Sequence, residues 1–212
     1  LVNRRDVAVA ILLDLSGSTA QDVDKASGGG DARGVTAPSA RHGSTGEEGK
    51  TVLQVEKEAA FVLASGLQAI GDRFGLFGFT GTSRQNCQFY LFKEFDEPWD
   101  QRRTNDLLGA FSGSSTRIGA ALRHAGWKLE QVPGKTKLIA LITDGKPCDQ
   151  GYDPETRYAH HDVRKACEEN RRLGLHTFCI STSENTPADM ELMFPQGRYI
   201  ILDTIARLPS VL

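Results

Sequence analysis

The chain has 212 residues, 39% hydrophobic and 25% charged, with a formal net charge of −2 and a pI near 6.2. This length and composition suit one globular domain with a sizeable core. The near-neutral charge gives no electrostatic case for nucleic acid or an anionic membrane surface, and no apolar run approaches the roughly 18 residues of a membrane span.

Residues 7–13 are an unbroken apolar run, the pattern of a strand buried on both faces. The run ends at Asp14, and Ser16 and Ser18 follow at alternate positions. Residues 20–50 are rich in Gly, Ser, Thr, Ala and charge, with few large apolar side chains. Such a segment buries too little to offset its ordering cost, so a long mobile insertion is expected there. Its Gly28-Gly29-Gly30 run is not part of a phosphate-binding loop, because no G-x-x-x-x-G-K-[ST] is present. Residues 52–69 form a helical pattern with Val52, Val55, Ala59, Val62, Leu63 and Leu67 inward. Glu56, Lys57 and Glu58 are read as its solvated face.

Residues 74–79 form a short aromatic strand, and residues 80–84 a turn. Residues 87–95 alternate like an edge strand, and the short link makes the two an antiparallel hairpin. Trp99 is expected to pack, and a short helix runs through Leu107 and Leu108. A Ser/Gly loop at 113–116 leads into a helix over 118–129. Its backbone N–H groups and the helix start at Arg117 favour an anion or an acidic side chain nearby. Pro133-Gly134 breaks the helix, and residues 138–143 are a second buried strand, ending at Asp144-Gly145. A helix over 155–173 follows, with Val163, Ala166, Cys167 and Leu173 on one stripe and Gly174 as its left-handed cap. His160 and His161 are read as solvated. A strand at 176–181, a short helix at 188–194, a strand at 199–202 and a terminal helix over 205–212 complete the pattern. Strands alternating with helices imply a Rossmann-like, doubly wound, mostly parallel α/β sheet with one antiparallel edge strand and helices on both faces.

Of the four cysteines, Cys167 and Cys179 fall in apolar patterns and read as core. None shows C-x-x-C spacing, and the number is low for a disulfide scaffold. A zinc site from Cys148, His160 and His161 fits no common spacing. The expectation is a reducing, cytoplasmic setting. The chain starts without an initiator Met or a signal-peptide pattern. We therefore expect a single domain, 1–212, cut from the C-terminal part of a longer protein.

Three separated segments deliver oxygen groups to element ends: Asp14, Ser16 and Ser18 from the first strand, Thr116 from the Ser/Gly loop, and Asp144 from the second buried strand. A D-x-S-x-S run alone also reads as an ordinary turn. Two carboxylates with neutral oxygens suit a hard divalent cation that keeps some water, Mg²⁺ with Mn²⁺ as a substitute. Such a site either captures a partner's carboxylate or activates water. Hydrolysis wants a general base as well, and the spare acids, Asp22, Asp24, Asp149 and Asp153, lie in loops. No G-x-S-x-G or G-x-G-x-x-G is present.

The five residues, in this order and strand context, resemble the metal-ion-dependent adhesion site of von Willebrand factor type A (vWA) domains. Phe77-Gly78-Phe79, Phe95-Asp96-Glu97-Pro98-Trp99, the run from Ser115 to Ala125, Leu141 to Pro147, and Tyr152-Asp153 further resemble the vWA domain of CbbO and NorD proteins. That resemblance covers the chain from Val7 onward, apart from 20–50. It implies a binding domain and no catalysis by this chain. CbbO-like proteins are chaperone-like adaptors in carbon fixation that work with a MoxR-type AAA+ ATPase to free rubisco of inhibitors. NorD-like proteins are linked to maturation of nitric oxide reductase. The implied partner is a client with an exposed Asp or Glu, rubisco first, and the 20–50 insertion departs from the family picture. Rival readings are a metal-assisted hydrolase and an extracellular adhesion module.

Overall fold

The computed structural model describes residues 6–20, 50–145, 147–149, 152, 157–182, 187–194 and 198–202. Six strands form one sheet: β1 (Val7–Asp14), β2 (Arg73–Ser83), β3 (Asn86–Lys93), β4 (Thr136–Thr143), β5 (Leu175–Ser181) and β6 (Tyr199–Ile201). Their order is β3-β2-β1-β4-β5-β6, parallel throughout except for β2 with β3. The helices are α1 (Val52–Ile70), α2 (Gln101–Leu108), α3 (Ile118–Glu130), α4 (Tyr158–Arg172) and α5 (Pro187–Met193). The doubly wound sheet expected from the sequence is the one observed.

The apolar run of β1 explains the layering. Successive strand side chains point to opposite faces. Ala8, Ala10 and Leu12 join a core with Ile118, Leu122, Ala125 and Leu129 of α3, Val163 and Ala166 of α4, and Met190 and Met193 of α5. Val9, Ile11 and Leu13 join a second core with Leu53, Ala60, Ala64 and Leu67 of α1 and Leu107 of α2. Every β1 side chain from Ala8 to Leu13 is buried, so the strand carries no polar face. A capping box at Thr51 and Gln54 starts α1, and Gly71, at φ 77°, ends it in the left-handed region.

The strand order reverses between β1 and β4. Ligands of open α/β sheets bind beyond the strand ends at such a point. Asp14 ends β1, and Asp144 directly follows β4.

Several expectations need correction. Strand β2 runs on to Ser83, so most of the expected 80–84 turn is extended and pairs with β3. The inward stripe of α1 is Leu53, Glu56, Ala60, Ala64 and Leu67, flanked by Val52 and Ala59, while Val55, Val62 and Leu63 are only partly buried. Glu56 is therefore fully buried, not solvated. Lys57 donates to the carbonyls of Leu108 and Ala110 at the end of α2. Leu173 is 52% exposed, because α4 ends at Arg172 and the chain turns there. His161 is exposed, but His160 is partly buried, 4.0 Å from Asp189. Trp99 packs as expected, against Phe61 and Phe74. Residues 21–49, Asp153 and the expected terminal helix lie outside the described residues.

Candidate functional site

The end of β1 is shaped by its own side chains. The Ser16 amide donates to Asp14 Oδ1 at 2.9 Å, and the Ser16 and Ser18 hydroxyls are 3.0 Å apart. A short 3-10 turn, Gly17–Ala20, is tied back by Thr19, whose hydroxyl donates to the Ser16 carbonyl at 2.6 Å. From β4, Thr143 Oγ1 donates to Asp14 Oδ2 at 2.6 Å and accepts from the Gly145 amide at 3.0 Å. Asp14, Ser16, Thr116 and Asp144 are all buried, and Ser18 is partly so.

The loop carrying Thr116 is pinned on three sides. The Gly113 amide donates to the Leu15 carbonyl at 2.5 Å, and the Gly17 amide to the Ser114 carbonyl at 2.7 Å. Gly81 of β2 and Ser115 exchange backbone bonds at 2.7 and 3.0 Å. The Thr116 amide donates to the Cys148 carbonyl at 2.7 Å, beyond Asp144. Gly113 permits this approach, since a Cβ there would lie 2.5 Å from Thr80 Oγ1. The three segments singled out in the sequence are thus brought to one edge of the sheet.

The electrostatics of this edge are those of buried like charges. Burial, with the neighbouring Asp144 carboxylate, pushes the Asp14 carboxyl up to about 7, against hydrogen bonds from Thr143 and Ser16. Glu56 of α1 belongs to the same neighbourhood. Burial raises its carboxyl well above the usual range, and Asp14 and Asp144 raise it further. Its Oε1 accepts from Thr182 Oγ1 at 3.0 Å, while Oε2 has no hydrogen-bond partner. The donor set, two carboxylates with three hydroxyls, fits a hard divalent cation. Cys148 is exposed, and among the described residues no three His, Cys, Asp or Glu side chains group as a metal cluster, so the zinc alternative finds no support.

No protein-family model matches the chain. Protein NorD of Brucella suis is 34% identical over 207 residues, which is 98% of this chain and 29% of that protein. The chain therefore spans under a third of the length of the curated relatives it matches. Among solved structures, the PilB minor pilin of Streptococcus sanguinis superposes with a TM-score of 0.66 at 15% identity, over 100% of this chain and 60% of that one. An aerotolerance-related membrane protein of Bacteroides fragilis, carrying multiple mutations to serine, superposes with a TM-score of 0.60 at 16% identity, over 97% and 96% of the two chains.

The chain has the vWA fold. Two residues beside the candidate site were not anticipated as part of it. Thr143 read only as a β-branched strand residue, and its hydroxyl became meaningful once β1 and β4 were neighbours. Glu56 was masked by charged neighbours, although its spacing of three from Leu53 and of four from Ala60 placed it on the apolar stripe. Asp149, considered as a spare acid, is committed elsewhere. Its side chain is fully buried and pairs with Arg117 Nε, and the Arg117 guanidinium lies 4.3 Å from the Tyr152 ring centroid. Asp22, Asp24 and Asp153 lie outside the described residues. Among the described residues, no helix is long and apolar enough to cross a membrane.

Proposed function

We propose that this chain is a Mg²⁺-dependent protein-binding domain of a NorD-like adaptor, and that it recognises an Asp or Glu carboxylate on its client. The observation that carries this reading is Asp14, a fully buried carboxylate held by Thr143 and Ser16 beside the carboxylate of Asp144. Asp14, Ser16, Ser18, Thr116 and Asp144 would hold the cation, with Mn²⁺ as a substitute. Bound there, the ion would offer an open position to a carboxylate oxygen of the partner.

The protein's own groups do the rest. Thr143 fixes Asp14, leaving the Ser16 and Ser18 hydroxyls facing each other. The backbone bonds of 113–116 hold Thr116 in place. The Arg117–Asp149 pair removes Asp149 from the pool of general bases, which weighs against hydrolysis. In this reading the domain is not an enzyme. The ATPase chemistry belongs to a MoxR-type AAA+ partner, in the cytoplasm.

The likeness to NorD proteins supports a client in nitric oxide reductase maturation over rubisco. The test is capture of the chain by a MoxR-type ATPase, by nitric oxide reductase and by rubisco, each with Mg²⁺ and with EDTA. Capture by the first two that is lost in EDTA and lost in Asp14→Ala is the expected result. Rubisco capture with the same dependence would return the client to the CbbO branch. Capture that survives EDTA would remove the metal bridge. Turnover of a phosphoester or peptide that Asp144→Ala abolishes would favour a hydrolase.

A further inference from the structure

Away from the Asp14 edge, α4 and the β5–β6 edge enclose a cavity of about 130 Å³. Arg164, Arg171 and Arg198 line it, with Glu168, Cys167 and Thr177. Thr177 sits near the start of β5, opposite Ile139 of β4, whereas the candidate metal site lies beyond the strand ends.

Three guanidiniums on one small cavity repel one another unless something negative joins them. Glu168 supplies one charge, with Oε1 3.4 Å from Arg164 Nε. Among the described residues, neither Arg171 nor Arg198 has a carboxylate within ion-pair distance. The Cys167 thiol adds no charge, because burial pushes it up to about 12. Among the described residues, two positive charges are therefore left over. The Thr177 side chain is a second, independent sign. Thr177 is only 4% exposed, yet its hydroxyl finds no nitrogen or oxygen partner and reaches only the Cys167 sulfur. Its polar neighbour in the cavity is that thiol, a weak acceptor. Buried hydroxyls rarely stay unpaired.

We propose that this cavity is an oxyanion site for a phosphate group, either inorganic phosphate or a phosphomonoester. A phosphomonoester carries about −1.5 to −2 charge at neutral pH, which matches the two uncompensated arginines. Guanidinium forks suit its oxygens, and the Thr177 hydroxyl supplies a donor from the floor. The volume lies well below the roughly 300–1,000 Å³ of pockets for larger ligands, so the group enters alone or as the tip of a side chain.

Calorimetric titration of the full chain with inorganic phosphate, at matched ionic strength and without Mg²⁺, tests the proposal. Saturable one-to-one binding is expected. Arg171→Glu, at an exposed position, should abolish it, and Thr177→Val should weaken it about tenfold, the loss of one charge-assisted hydrogen bond. Melting curves of both variants in phosphate-free buffer check that the fold persists. Tighter binding of a phosphoserine peptide than of phosphate would name a modified protein as the source, and equal binding would name the free ion. No saturable binding by either, or binding indifferent to Arg171→Glu and Arg198→Ala, overturns the proposal.

Discussion

Thr143 Oγ1 donates to Asp14 Oδ2 at 2.6 Å across the junction of β1 and β4. The same oxygen accepts from the Gly145 amide at 3.0 Å, so one hydroxyl orients a carboxylate and ties down the turn after Asp144. Thr143→Val keeps the shape but removes both bonds. It should cost about 1–3 kcal/mol, because a buried acceptor loses its donor. Mg²⁺ affinity should fall with it. Thr143→Ser should restore both in denaturant melts and Mg²⁺ titrations, and a valine variant that binds Mg²⁺ as wild type does would remove Thr143 from the site.

The Asp14 carboxyl has an ordinary value of 3.8 and is raised to about 7 in the fold, by burial and then by Asp144. A carboxyl raised this way keeps its proton in the folded chain at pH values where the unfolded chain has released it. This group therefore favours folding most below about pH 4, and that contribution is lost as pH climbs toward 7, by up to about 1.4 kcal/mol per unit. In EDTA, the melting temperature should fall across this window more steeply for wild type than for Asp14→Asn. Saturating Mg²⁺ should flatten the wild-type curve, since the cation binds the ionised form. Parallel curves in EDTA would show that Asp14 does not carry the buried charge.

The sheet, and the three segments that it brings to one edge, were legible because their signals are local. An apolar run ending in D-x-S-x-S marks both a buried strand and its polar end, and Thr143-Asp144-Gly145 repeats that pattern. What could not be read was pairwise. Thr143 acts through Asp14, which is 129 positions away. Glu56 is buried because the small residues Ala60 and Ala64 lie on its face of α1, and alanines weigh little in a hydrophobic pattern. The 80–84 segment read as a turn from its Thr, Gly and Ser residues. Pairing with β3 overrode that composition.

Glu56 provides a direct check on that burial. Its carboxyl is raised well above the usual range, first by burial and then by Asp14 and Asp144, which favours the protonated form in the metal-free fold. Glu56→Gln mimics that protonated form with an amide that still accepts from Thr182. Its melting temperature in EDTA at pH 7 should stay within about 4 °C of wild type. Glu56→Ala leaves the Thr182 hydroxyl unanswered and opens a void, and should cost about 1–3 kcal/mol. Equal losses for the two variants would mean that the buried carboxyl is ionised.

Arg117 follows Thr116 and links the Ser/Gly loop to the segment after β4. The Arg117 side chain is 11% exposed and that of Asp149 is 0% exposed, and Asp149 Oδ1 has no hydrogen-bond partner. The linkage continues outward, with Tyr152 donating to Asp162 at 2.9 Å and Arg123 bonding Asp162 and Glu169 at 2.9 and 2.6 Å. Arg117→Ala leaves the Asp149 charge buried without its cation, which should cost about 3–5 kcal/mol. Because Thr116 is bonded to Cys148, the residue before Asp149, Mg²⁺ affinity should fall as well. Asp149→Asn removes the stranded charge, so the double variant should be less destabilised than the sum of the single changes. A double-mutant cycle by denaturant unfolding measures this. Additive losses would mean that the two side chains do not act as a pair, and that something else holds Thr116 against the segment after β4.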